Sequence, residues 1–515
     1  MENSEIARLL SETADLMEIG GEDSFRIRSY RNAASSILGY PERIADIACN
    51  PERKLTEIPG VGKGIASVLE ELCRRGSFEK RDQLLERYPP TALEFLKIQG
   101  LGPKSIALIF EHFRITTIDE LERLCREQKL RDLPRMGAKL EEKVLRSIAQ
   151  YRQSAGRFLL AFGYRTANEL TSYLAETPGL EKIMAAGSLR RGRETIGDLD
   201  LLATGPGAHA AMERFVAHPR ATEVLGQGAN KASIRFGLEG IQVDLRALPS
   251  ENYGAALQYF TGSKEHNVAL RGRALRMGFT LNEYGLFRLE DNACIAGETE
   301  EGIYSALGLP WIPPELRENC GEIDAALEGR LPDLIQTPQI RGDLHMHTTE
   351  TDGRASLEEM AEAARALGYE YIAITDHSKA LAMANGLDED RVVAFARRVR
   401  ELNSSGSLGI RILSGIECDI RRDGMMDLAE DALAELDIVI GSVHAYMNIE
   451  PAEMTDRLMR ALQSPSLRII GHATGRILLN REPYPFDFDL VAGEAARRRI
   501  CFEINASPER LDLSG

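Results

Sequence analysis

Gly187-Ser-Leu-Arg-Arg-Gly-Arg-Glu-Thr-Ile-Gly-Asp-Leu-Asp200 is the stretch whose reading decides the fold of the middle of this chain. Asp198 and Asp200 stand two apart at the start of an apolar run, Asp198–Ala203, that reads as a strand. Residues i and i+2 of a strand point to one face. Two carboxylates side by side repel and are costly unless a cation sits between them. Further strand-like runs follow at Ala232–Phe236 and Ile241–Leu248, and the second carries Asp244. Three carboxylates on adjacent strands suit two Mg²⁺ ions. Such ions, about 3.5–4 Å apart, activate an attacking oxygen and stabilise a leaving one. The preceding turn carries Gly187, Ser188 and Arg191, and a Gly-Ser turn followed by an Arg can hold a phosphate.

Upstream of this stretch, residues 1–150 read as all-helical. Apolar residues recur at helical spacing over Ile6–Met17, Tyr30–Leu38, Ile65–Leu72 and Leu140–Ile148. Three segments repeat there: Ile58-Pro-Gly-Val-Gly-Lys-Gly64, Ile98-Gln-Gly-Leu-Gly-Pro-Lys104 and Leu133-Pro-Arg-Met-Gly-Ala-Lys139. Each opens a helix, whose first N–H groups can donate to a phosphate oxygen, helped by the partial positive charge there and without a basic side chain. The third copy, with Gly137 alone, is the weakest.

Downstream, the Pro-rich stretch 309–340 reads as a linker, with the domain boundary placed at 326–340. Beyond it, short apolar runs alternate with helical segments, and polar residues come at the ends of the runs. These are His345 and His347 with Asp352, then His377, Glu417, His444 and His472. A strand, a ligand and then a helix is the rhythm of a βα barrel, whose site lies at the strand C-termini. Imidazole with carboxylate suits Mn²⁺, Zn²⁺ or Fe²⁺. Only eight residues follow the last strand-like run, Ile500–Ser507. The barrel is therefore expected to be open and C-terminally truncated.

The 515 residues suggest three or four domains. The net charge of −16 argues, taken whole, against nucleic acid. Its distribution does not. Residues 1–150 hold 24 basic and 25 acidic side chains, whereas residues 331–515 hold 20 and 31, together with five of the nine histidines. No apolar run approaches a membrane span, and the first residues lack the features of a signal peptide. Seven cysteines without a Cys-x-x-Cys pair point to reduced thiols and a cytoplasmic location.

The repeated Gly-rich turns resemble the helix-hairpin-helix motif, a sequence-independent grip on the DNA backbone. Gly187-Ser188 through Asp198-x-Asp200 looks like the palm of the nucleotidyltransferase superfamily. Tyr259-Phe-Thr-Gly-Ser263, Asn267, Arg271 and Gly278–Tyr284 are similar to family X DNA polymerases. That resemblance spans roughly residues 1–325. It implies that Asp198, Asp200 and Asp244 hold Mg²⁺ or Mn²⁺, with Asp244 also activating the primer 3′-hydroxyl. Gly187, Ser188, Arg191 and Gly197 would contact the triphosphate. Tyr259, Phe260 and Gly262 would pack on the sugar, Asn267 would touch the base edge, and Arg271 the template. Gly60, Gly62, Gly64, Gly100, Gly102 and Lys104 would meet DNA, with a monovalent cation at the hairpins. Two departures stand out. Gln242 replaces an Arg of mammalian repair members, and Val68 replaces the Schiff-base Lys of members with lyase activity.

The histidine-rich third resembles the polymerase and histidinol phosphatase (PHP) domain. This implies a three-metal site of His345, His347, Asp352, His377, Glu417, His444 and His472, with Glu417 bridging two metals. The family's last Asp-x-His motif is not found after His472, so the site is expected to lack two ligands. The expected architecture is multidomain α+β and α/β. It comprises a helical N-terminal domain (1–90), a fingers-like helical domain (91–150), a palm (151–255), a thumb (256–325), a linker (326–340) and a distorted (βα)7-like PHP barrel (341–515). The expected protein is a monomeric bacterial-type repair polymerase acting on gapped or primed DNA with dNTPs, in the cytoplasm at the nucleoid. Its PHP domain would be a Mn²⁺-dependent 3′→5′ exonuclease that also cuts at abasic sites. Two other readings are a phosphoesterase delivered to DNA by the helical part and a non-catalytic DNA-end scaffold.

Overall fold

The computed structural model describes every residue except 2, 39, 41, 51, 52, 90, 99, 135, 155, 514 and 515. Gln99 and Arg135 of the repeated segments and the final Gly515 thus lie outside the described residues. The chain divides into two units, Met1–Ala155 and Gly156–Gly515.

In the first unit the helical periodicity becomes helices Asn3–Ile19, Ser24–Leu38, Lys63–Arg75, Pro103–Phe113 and Ala138–Ser154, with shorter ones between. Buried side chains from Ile6 to Ile148 form one continuous cluster across residue 90. The three Gly-rich turns share one backbone pattern, with Val61, Leu101 and Met136 N–H donating to the carbonyls of Ile58, Ile98 and Leu133. Those apolar partners are buried, while Gly60, Gly62, Gly64, Gly100, Gly102, Lys104 and Gly137 are exposed. The periodic apolar residues thus anchor each turn from below and leave helix N-termini facing solvent.

The second unit contains a five-stranded sheet. Its strands are β1 (Lys182–Ala185), β2 (Asp198–Thr204), β3 (Ala221–Gln227), β4 (Lys231–Phe236) and β5 (Ile241–Leu248), in the order β1-β2-β5-β4-β3. The three runs expected from the sequence are β2, β4 and β5. β2 and β5 are parallel, and Asp200 stands opposite Asp244. Helices Leu160–Ala175 and Ala208–Val216 cover one face and bury Leu170, Leu174 and Phe215 against Leu199, Leu201 and Val243. A three-stranded antiparallel sheet follows: β6 (Phe279–Asn282), β7 (Gly285–Arg288) and β8 (Cys294–Ala296). Its core takes in Leu309, Ile312 and Ala326. The stretch 309–326 is therefore packed structure, which corrects its reading as linker. Its prolines mark turns around buried side chains.

The last part is a six-stranded parallel sheet with strands in chain order: β9 (Gly342–Met346), β10 (Tyr371–Ile374), β11 (Arg411–Asp419), β12 (Ile438–Ser442), β13 (Ile469–Ile470) and β14 (Cys501–Phe502). Helices such as Leu357–Ala366, Glu389–Ser405 and Phe488–Arg498 connect them, as parallel neighbours require. All seven cysteines are free thiols. Among the described residues no helix is long and apolar enough to cross a membrane.

Candidate active sites

The first candidate site sits at the N-terminal end of β2. The pleat puts Asp198 and Asp200 on one face, and the parallel register brings Asp244 alongside. Burial raises the Asp200 pKa to about 6, helped by the Asp198 and Asp244 carboxylates. Asp244 is also pushed up by burial, but hydrogen bonds from Lys231, Ser233 and Gln242 outweigh that and hold it below the usual range. Lys231 Nζ lies 2.5 Å from Asp244 Oδ2. Gly187 (φ +62°) adopts a left-handed conformation beside these acids, and a Cβ there would lie 3.0 Å from Asp200 Oδ2.

A cavity of about 360 Å³ lies against the acids. It is lined by Gly187, Ser188, Arg191, Asp198, Asp200, Tyr259, Phe260, Gly262, Lys264, Asn267 and Arg271. Residues from β2, the short helix Gly187–Arg190 and the helices Tyr253–Thr261 and Lys264–Arg276 thus converge on one cavity. Gly197 and Asp244 do not line this cavity. Arg191 donates from Nε to Glu318 (2.8 Å) and from Nη1 to the Thr261 carbonyl (2.5 Å). Gly262 (φ +69°) lets that guanidinium approach, since a Cβ would meet Arg191 Nη1 at 3.2 Å. Asn267 ties Gln258 to the Tyr259 carbonyl, which fixes the aromatic pair Tyr259–Phe260.

Three contributors were not read from the sequence. Lys231 faces Asp244 diagonally across β4 and β5, a relation visible only once the antiparallel register is known. Arg246, two beyond Asp244, stacks under Phe260 at 4.3 Å. Glu300 is 4% exposed and joins Arg190 (2.8 and 2.7 Å), Arg317 (2.6 Å) and the Trp311 indole (3.1 Å). Arg190 Nη1 also donates to Thr261 Oγ1 (2.7 Å), so this buried cluster supports both sides of the cavity.

The second candidate site lies at the C-terminal ends of β9–β14, where five imidazoles surround Glu417. His472 Nε2 is 2.8 Å from that carboxylate, His377 Nδ1 2.9 Å, His444 Nε2 3.2 Å, and His345 and His347 Nε2 3.5 Å each. Asp352 lies 3.0 Å from His347 and 3.3 Å from His377. All seven residues expected there come together. Burial opposes charge on Glu417, but the surrounding imidazoles hold it well below the usual carboxylate range. Burial likewise disfavours charge on His345 and His444. The carboxylates beside them, Glu417 and Glu503 for His345, Asp419 and Glu417 for His444, win and raise them to about 10 and about 9.

After His472, Glu503 also reaches this centre, a contact that the sequence did not suggest. It follows β14 directly, accepts from the His472 N–H (2.6 Å) and lies 2.6 Å from His345 Nδ1. Asp419 lies 3.2 Å from His444 Nδ1. Asp376 is fully buried and accepts from Thr348 N–H and Oγ1 and from Thr351 Oγ1, pinning the turn that carries Asp352. His472 has a left-handed backbone (φ +26°), a costly conformation for a bulky residue.

Both donor sets fit cations. In the first, the carboxylates of Asp198 and Asp244 help to raise that of Asp200. In the second, three overlapping groups place donor atoms within 4.8 Å of one another: His345/His347/Glu417, His347/Asp352/His377 and His377/Glu417/His444. The buried Nδ1 atom of His472 lacks a hydrogen-bond partner.

Comparison with known proteins agrees with this arrangement. Residues 1–78 match a helix-hairpin-helix domain and residues 92–150 a SAM-like helix-hairpin-helix tandem. Residues 256–318 match the DNA polymerase beta thumb and residues 343–498 the PHP domain. The chain is 35% identical over 514 residues to the DNA polymerase/3′-5′ exonuclease PolX of Bacillus subtilis (strain 168), covering 100% of this chain and 89% of that protein. DNA polymerase lambda of Arabidopsis thaliana is 24% identical over 348 residues, covering 61% of this chain and 62% of the plant protein. DNA polymerase lambda of Rattus norvegicus is 23% identical over 345 residues, covering 61% and 56%.

Proposed function

Because the chain belongs to the family X DNA polymerases that carry a PHP domain, we propose that it fills short DNA gaps in base excision repair and trims 3′ ends with its PHP domain. The observation that carries the polymerase reading is the register that sets Asp200 opposite Asp244, beside a cavity lined by Ser188, Arg191, Tyr259 and Asn267. In this reading residues 1–90 and 91–150 grip DNA through Gly60, Gly62, Gly64, Gly100, Gly102 and Lys104, with a monovalent cation at the hairpins. Residues 151–255 are the palm, 256–325 the thumb, and 341–515 the PHP domain. Asp198, Asp200 and Asp244 hold two Mg²⁺ or Mn²⁺ ions, which when bound neutralise phosphate charge and activate the attacking oxygen. Gly187, Ser188, Arg191 and Gly197 bind the triphosphate, and Arg191 is oriented for this by Glu318. Tyr259, Phe260 and Gly262 pack on the sugar. Asn267 meets the base edge, and Arg271 the template side. Nucleotidyl transfer needs positioning and charge neutralisation more than covalent chemistry, and these residues supply both.

The PHP donors, His345, His347, Asp352, His377, Glu417, His444 and His472, hold Mn²⁺, Zn²⁺ or Fe²⁺, which when bound supply Lewis acidity to a phosphodiester. Glu503 and Asp419 fix the His345 and His444 rings, as carboxylates behind metal-ligating histidines do. The protein acts as a monomer, in the cytoplasm at the nucleoid.

The test is primer extension on one-nucleotide-gapped DNA with Mg²⁺ or Mn²⁺, scored for extension and degradation. Asp198→Ala and Asp200→Ala abolish extension and leave degradation. His345→Ala with His347→Ala does the reverse. Unchanged extension by both aspartate variants overturns the reading.

A further inference from the structure

Beside the His–Glu centre, the loops after β10, β11 and β12 enclose a cavity of about 670 Å³. Its lining includes Ala380, Asp419, Arg421, Arg422, Tyr446 and Arg457. Asp419 joins the two regions, since it lines the cavity and lies 3.2 Å from His444 Nδ1. Whatever occupies the cavity is therefore next to the centre.

Tyr446 stands at the mouth. It is 62% exposed. Its backbone is left-handed (φ +54°), which for a bulky residue persists only when the surroundings enforce it. Arg457 enforces it from beneath. That side chain is 1% exposed, and its guanidinium donates to the carbonyls of Ala445 (2.9 Å), Tyr446 (3.3 Å), Arg421 (3.0 Å) and Ile420. One buried cation thus fixes both loops and the backbone that carries Tyr446.

Beside that ring lies the Arg422 guanidinium, 5.7 Å from its centroid. Arg422 and Arg421 are paired with Glu453 (3.0 Å) and Asp423 (3.2 Å), all four side chains being well exposed. Exposed pairs of this kind are weak and exchange readily for a phosphate. A projecting aromatic ring with guanidinium groups around it is the combination that stacks unpaired bases and binds their backbone.

We propose that this cavity is a single-strand nucleotide subsite of the PHP centre, in which Tyr446 stacks on a base flanking the scissile phosphodiester and Arg421 and Arg422 receive the neighbouring phosphates. The proposal rests on the phosphodiesterase reading above. It makes Tyr446 a specificity residue and Arg457 a positioning residue.

The experiment uses the full chain with Mn²⁺ and two single-stranded oligonucleotides, one normal and one whose last two residues are abasic. The wild type cleaves the base-bearing end with about tenfold higher kcat/KM. Tyr446→Ala removes that preference, and Tyr446→Phe keeps it. A merely structural role would lower both substrates alike and leave the ratio standing, which overturns the proposal. Independently, an oligonucleotide with 5-iododeoxyuridine at its 3′ end is photocrosslinked and the adduct mapped by mass spectrometry. Label on the peptide carrying Tyr446 supports the subsite even if no hydrolysis occurs, in which case the phosphodiesterase reading alone fails. Hydrolysis with no label there and an unchanged ratio in Tyr446→Ala sinks the subsite and spares that reading.

Discussion

Glu300→Gln removes the one buried carboxylate shared by Arg190 and Arg317, the latter with no exposed surface. Burial alone would raise the Glu300 pKa, but the two guanidinium groups outweigh it and bring it from 4.5 down to about 2. That displacement corresponds to about 3 kcal/mol of stability at neutral pH. Breaking a buried pair by removing one partner costs a similar amount, about 3–5 kcal/mol, because the cations stay buried. A depressed carboxylate stabilises fully above its unfolded pKa and loses that effect as pH falls through its folded pKa. The difference between wild type and variant should thus hold at about 3 kcal/mol from pH 7 to 5 and shrink to about 1.5 kcal/mol at pH 3. Trp311 is the chain's only tryptophan, and its indole donates to Glu300, so its fluorescence reports this region during urea unfolding. A loss below about 1 kcal/mol at pH 7, or one that does not shrink with acid, refutes the reasoning.

Three further outcomes are expected. Gly187→Ala forces a left-handed alanine, at about 1–2 kcal/mol, and presses its Cβ on Asp200; gap filling should fall at least tenfold while circular dichroism stays unchanged. With its pKa at about 6, Asp200 is protonated in acid and must release that proton to water before it can bind a cation, so Mg²⁺ affinity should weaken below pH 6; calorimetric titration at pH 5 and pH 7.5 checks this, and equal affinities would contradict it. Glu503→Gln leaves His345 and the His472 N–H without their carboxylate and should weaken Mn²⁺ binding about 10–100-fold, read as bound metal by mass spectrometry after dialysis.

How much was legible in the sequence depended on local periodicity. β2, β4 and β5 were found almost to the residue because their apolar runs are long and end in turn residues. β3 was missed, since only its first residue is even partly buried and it carries no alternation. Glu503 was missed because β14 has two residues, too few to show which face a side chain takes. Lys231, Arg246 and Glu300 act across strands or between distant segments, and no spacing along the chain records that. The prolines of 309–326 read as a linker, yet the buried Leu309 and Ile312 beside them are what decide the packing. The His/Asp/Glu set was legible because its histidines and Glu417 lie at or just past strand ends, with Asp352 in the loop after β9, and strand ends are where parallel sheets place their sites.

The three donor groups of the His–Glu centre form a closed ring of shared members. The first and second share His347, the second and third share His377, and the third and first share Glu417. A substitution at any of these three damages two groups at once, whereas His345, Asp352 and His444 each belong to one. Loss of one shared residue therefore costs the centre more of its cation-holding donors than loss of His345, Asp352 or His444.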